Sequence, residues 1–117
     1  MKLMTKDLQR RLEDNHRLTQ RCNKERGSVP DHKPVLKVFN PSGAAVWLFT
    51  EFDGDDTLFG LCDLGMGCPE VGYASLKELE SLRGPIGLPM ERDRWFKASK
   101  TLNQYREDAA LAGRVRA

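Results

Sequence analysis

Apolar residues are thinly spaced in the first quarter of the chain and crowded in its middle. Before Gly27 they recur at helical intervals: Leu8, Leu12 and Leu18 along one stripe, with Arg10, Arg11 and Arg17 outside it. Thr5 stands where a helix N-cap would be. The stripe is narrow, so this helix packs by one edge or frays beyond His16. The segment GSVPDHKP (27–34) breaks any helix with Gly, Ser and two Pro.

From Val35 the period changes to that of strands. VLKVFN, the turn PSG and AAVWLFTEF read as an antiparallel hairpin of β-branched and aromatic residues. In its second arm Val46 and Leu48 face one way and Trp47 and Phe49 the other. Both faces are apolar, which predicts a central strand covered on each side. DGDD (53–56) is a turn, TLFGLCDL a third strand, and EVGYAS a short fourth strand after a Gly-rich connection. Ser75 and Glu78 match a capping box at the start of a middle helix with Leu76, Leu79 and Leu82 on one side, stopped by Gly84-Pro85. Ser99 or Thr101 caps a last helix to about Ala112, with Leu102, Tyr105 and Ala109 as its apolar edge. The expected fold is therefore α+β: an antiparallel meander of about four strands flanked by N-terminal, middle and C-terminal helices. Residues 1–26 form the basic N-terminal helix and residues 27–117 a single α+β domain.

A length of 117 residues suits one modest core. No apolar run approaches the roughly 18 residues of a membrane span, and MKLMTKDLQRR has no signal-peptide core. Cytoplasmic placement without membrane association is the expectation. Three cysteines, Cys22, Cys62 and Cys68, argue for reduced thiols rather than a disulfide framework.

The net charge of +2 conceals a segregation. Residues 1–33 carry nine Lys/Arg against five Asp/Glu, residues 34–80 two against eight, and residues 81–117 eight against four. The simplest reading is attraction between basic ends and an acidic middle. The sharper one is a basic face for a polyanion, drawn from Lys2, Lys6, Arg10, Arg11, Arg17, Arg21, Lys24 and Arg26, with Arg106, Arg114 and Arg116 on the last helix. Acids at Asp7, Glu13, Asp14 and Glu25 interrupt that run, and a solvated helix face is the plainer alternative.

Other candidate chemistry is weaker. Glu51, Asp53, Asp55 and Asp56 offer hard oxygen donors, but DGDDTLFG lacks the Gly and bidentate Glu of an EF-hand loop, and turns select such residues anyway. Cys62 and Cys68, with five residues between them and His16 and His32 far upstream, do not fit structural zinc. Cys68 beside Glu70 lacks an adjacent base. The glycines match no phosphate loop. No metal or other cofactor is expected.

Residues 83–96, RGPIGLPMERDRWF, pose a sharper question. In extended geometry Glu91, Asp93 and Trp95 share one side, while Arg92, Arg94 and Phe96 share the other. Neighbouring charges then cannot pair with each other. Arg92 is expected to brace Glu51 or Glu70, with Trp95 or Phe96 closing the core. A pocket, if present, would gather Glu51, Asp55, Asp56, Glu70, Glu91, Arg92 and Asp93.

The strings KVFNPSGAAVWL, TEFDGDDTLFGL, GCPEVGY, SLKELESLRGP and GLPMERD, in that order, closely resemble the domain-of-unknown-function family numbered, in words, twenty-nine fifty-eight. The resemblance covers roughly residues 33–97, with YREDAALAGRV similar to the tail of some members; the basic N-terminal segment is the least family-like part. Such proteins are small bacterial products often carried on plasmids, integrative conjugative elements and phages. The resemblance implies that setting and no catalytic activity. The expected function is that of a non-enzymatic accessory protein of a mobile element that binds a protein partner or nucleic acid. The alternatives are a small metal-assisted hydrolase using Glu51, Asp55, Asp56 and Glu91, and a structural dimer module.

Overall fold

A computed structural model describes residues 3–117. Lys2, one of the basic residues named above, lies outside them. The elements run α1 (Lys6–Lys24), β1 (Leu36–Phe39), β2 (Val46–Phe52), β3 (Thr57–Asp63), β4 (Glu70–Ser75), α2 (Leu76–Ser81), β5 (Glu91–Arg92) and α3 (Leu102–Ala112). All neighbouring strands pair antiparallel, in the order β4-β3-β2-β1-β5. The fold is the expected α+β arrangement, with a two-residue fifth strand added at the β1 edge.

The double-sided apolar pattern of β2 is explained by two cores. Trp47, Phe49 and Phe52 pack with Leu12, Leu36, Val38, Leu58, Leu79 and Met90 on the face that meets α1 and α2. Leu48 packs with Leu61, Leu102, Tyr105 and Ala109 on the face that meets α3, where Phe96 also joins. Phe96, not Trp95, closes that core. Burying Leu12 completely on α1 contributes about 2 kcal/mol, which a solitary helix in water would lack.

β2 changes register against β3 between Phe49 and Glu51. The extra residue, Thr50, lets Phe52 return to the α1 face, as a regular alternation would not. Gly60 lies opposite this bulge, and a Cβ there would fall 2.0 Å from the Leu48 carbonyl oxygen. Only glycine permits that approach. The Thr50 carbonyl accepts from Asn15 Nδ2 at 3.0 Å, tying the bulge to α1.

Three caps fix the helices. Thr5 Oγ1 accepts from Leu8 N, and Thr101 and Gln104 form a reciprocal capping box. Ser75 Oγ accepts from Glu78 N, as its sequence suggests. The partner that completes this cap is Asp56, which accepts from both Ser75 Oγ and Lys77 N. α1 continues well beyond His16, because its inner stripe after Leu12 is polar: Asn15 and Thr19 follow at helical spacing and Leu18 points outward. Thr19 Oγ1 lies 2.9 Å from His32 Nε2, holding the end of α1 to the following segment. The cysteines are all free thiols, and burial pushes the Cys62 thiol pKa up. Among the described residues no helix is long and apolar enough to cross a membrane.

Candidate functional site

β5 forms because Val38 and Phe39 on β1 offer a free edge to Arg92 and Glu91. Pairing persists only two residues. Asp93 N donates to Lys37 O, and the Asp93 carboxylate then accepts from Trp95 N at 2.9 Å, turning the chain out of the sheet. This turn ends the extended alternation and throws the Trp95 side chain into solvent, 91% exposed. A tryptophan so exposed, held by a hydrogen-bonded turn, is unusual for a residue with no partner to meet.

Arg92 shares a face with Val38, toward α1. Its Nη1 donates to the Leu3 carbonyl at 3.0 Å, while Glu80 Oε2 accepts from Leu3 N at 2.9 Å. Leu3 is thereby held at both backbone groups and is fully buried. The expected brace from Arg92 to Glu51 or Glu70 is not formed. β4 and β5 are the two outer strands, four spacings or about 19 Å apart, which puts Glu70 out of reach. Glu51 is on β2 and faces His16 of α1.

Two clefts flank the turn. One, of about 490 Å³, is lined by Leu3, Phe39, Glu91, Arg92, Asp93, Arg94 and Trp95. The other, of about 380 Å³, runs between the first half of α1, the segment 33–36 and the segment after β5. Arg11, Lys33, Arg92, Arg94 and Lys97 line it. Asp93 is the one carboxylate there, and Lys37 Nζ already stands 3.5 Å from it. None of the five cations forms an ion pair with a carboxylate among the described residues. Five cations without carboxylate partners lining one groove give it a positive field that attracts anions.

The structure separates the other candidates. Asp55 is exposed in the β2–β3 turn, where Asp53 Oδ1 accepts from three backbone N–H groups and is held below the ordinary carboxylate pKa by them, the Asp55 N–H first. Asp56 is also held below its usual value, chiefly by the Ser75 hydroxyl and next by the Lys77 N–H. Those two carboxylates are structural caps. Glu70 is exposed on the far edge strand. Among the described residues no three His, Cys, Asp or Glu side chains gather closely enough to hold a metal ion. Of the basic residues proposed from sequence, Arg11 lines the cleft. Arg10 is paired with Asp7 and Arg17 with Asp14, while Lys6 and Arg21 are exposed on α1, Arg106 is exposed on α3 and Arg114 follows it. Lys33, Arg94, Lys97 and Trp95 were not among the candidates. Only the three-dimensional closure of residue 33 against residues 92–97 brings them together.

Residues 3–116 match the family described as "Protein of unknown function (DUF2958)". The chain belongs to this family. The DUF2958 match takes in α1, so the basic helix is part of the family's unit and not an appendage to residues 33–97. No curated protein and no solved structure matches the chain. The DUF2958 description names no activity, which leaves the clefts beside β5 as the ground for a functional reading.

Proposed function

We propose that this DUF2958 protein binds single-stranded nucleic acid at the turn after β5. The observation that carries the reading is the set of five cations, unpaired with any carboxylate among the described residues, lining one cleft beside the exposed Trp95. Arg11, Lys33, Arg94 and Lys97 take the phosphates, Arg92 adds its charge to the cleft while its Nη1 holds the Leu3 carbonyl, and Trp95 stacks on a base, the combination that single-strand sites use. An acidic protein surface would meet the same cations; the projecting indole is what favours a strand of bases. The mobile-element setting that the family resemblance implies would supply displaced single strands for an accessory protein to bind. The metal-assisted hydrolase gains no support, because among the described residues Glu51, Asp55, Asp56 and Glu91 form no group able to hold a metal ion.

Anisotropy of a labelled single-stranded oligonucleotide tests this. Wild-type protein binds, and Arg94→Ala with Lys97→Ala, both exposed and away from the cores, weakens binding at least about tenfold. Unchanged affinity in that double variant would overturn the assignment of the cleft.

A further inference from the structure

A third cleft, of about 150 Å³, lies at the other end of α1, against the β2–β3 hairpin and β4. Its lining includes His16, Thr19, Glu51, Asp53, Phe59 and Tyr73. The Glu51 side chain is only 9% exposed. A carboxylate that deep ordinarily collects several donors. Here His16 Nδ1 approaches Oε1 at 3.4 Å, longer than a good hydrogen bond, and no other donor reaches it among the described residues. Among the described residues no buried side-chain oxygen lacks both solvent and a partner, and Glu51 lines the cleft, which gives its carboxylate the remaining access.

The walls define what would satisfy that carboxylate. Asp53 adds a second acid at the rim, its Oδ1 engaged by the turn. Phe59 and Tyr73 pair across β3 and β4 with ring centroids 5.1 Å apart, and Tyr73 is 75% exposed. Carboxylates below and aromatic rings beside them are the recognition chemistry of an organic cation. The volume is smaller than that of ordinary small-molecule pockets, so it admits a head group and not a nucleotide. We infer that this cleft binds a guanidinium or primary ammonium group, with Glu51 as its counter-ion and Phe59 and Tyr73 as its aromatic wall. The inference is independent of the proposed nucleic-acid site, which lies at the opposite edge of the sheet.

The cation could belong to a free small amine or to an arginine or lysine side chain of another molecule, and the two are separable. Backbone amide spectra of the full chain are recorded during titration with methylguanidine, with ethylamine, and with a capped Gly-Arg-Gly peptide. The expected result is saturable shifts confined to residues near His16, Phe59 and Tyr73 with at least one probe. Stronger binding of the peptide identifies a side-chain source, and stronger binding of a free amine a small-molecule source. Glu51→Gln, which keeps the shape and removes the charge, weakens binding roughly tenfold or more. Tyr73→Ala, at an exposed position that leaves the fold intact, weakens it about threefold and serves as the control should Glu51→Gln not fold. Absence of localised shifts with all three probes, or affinity unchanged in Tyr73→Ala, would overturn the inference.

Discussion

The guanidinium of Arg92 holds the carbonyl of Leu3 at 3.0 Å, joining residues 89 positions apart in the chain. Because Leu3 N is held from the other side by Glu80, the first described residues are fastened to both α2 and the β5 edge. The alternating charges of residues 91–94 thus divide their work. Arg92 braces the fold, Asp93 makes the turn, and Arg94 remains free to meet a ligand.

Arg92→Ala removes a charge-assisted hydrogen bond from a buried backbone group and should destabilise the protein by about 2 kcal/mol. Arg92→Lys, a point charge on a stem that reaches less far, should restore part of that. Urea unfolding of the three proteins checks both expectations. Wild-type stability in Arg92→Ala would show that packing and the Glu80 contact hold Leu3 without it.

Gly60→Ala places a methyl group 2.0 Å from the Leu48 carbonyl oxygen, in backbone that cannot yield without losing the bulge. The expected cost is about 3 kcal/mol, and the Asn15 contact to Thr50 should loosen with it. Thermal unfolding measures the first, and hydrogen exchange in α1 and β2 the second.

Arg26 has φ of 57°, the left-handed region that a side chain enters at a cost, at the end of α1 where glycine is the usual residue. Arg26→Gly should stabilise the protein by about 1 kcal/mol. A fall in melting temperature would mean that the Arg26 side chain makes a contribution larger than its backbone strain.

Asp53 and Asp56 fix the β2–β3 turn and the start of α2, and both have pKa values below the ordinary 3.8. A depressed carboxylate binds its proton less readily folded than unfolded. Its contribution is therefore complete above about 3.8 and is lost as pH falls through the lower folded value. Stability should decline on acidification across that window. Asp56→Asn should flatten the decline, because the amide keeps an acceptor for Lys77 N without a titrating group. A decline of the same steepness in Asp56→Asn would place the acid sensitivity elsewhere.

Much of the fold was legible in the sequence because its signals are local. The two-faced apolar pattern of Val46 to Phe49 foretold a strand covered on both sides, and Thr5, Ser75 and Thr101 cap the helices they precede. The polar half of α1 was harder to read. Asn15, His16 and Thr19 have no apolar signature, and their partners, Thr50, Glu51 and His32, lie far along the chain. The same limit explains the site. The expected brace from Arg92 to Glu51 or Glu70 fails because strand order puts Glu70 on the opposite edge and Glu51 meets His16, and no local pattern reports either. Hydrophobicity alone leaves Trp95 and Phe96 as equal candidates to close the core, and the turn set by Asp93 decides between them, sending Phe96 inward and Trp95 outward.

The central claim, that the turn after β5 receives a single strand, is tested most directly by the fluorescence of Trp95. Trp47, the other tryptophan, is buried at 4% exposure, so quenching by an added oligonucleotide reports on Trp95. Binding single-stranded DNA should quench that emission saturably, with an affinity that falls with salt at a slope of about −2 to −3 for three to four phosphates. Trp95→Ala should abolish the quench and weaken binding. Emission and affinity that do not respond to single strands, even at low salt, would contradict the account.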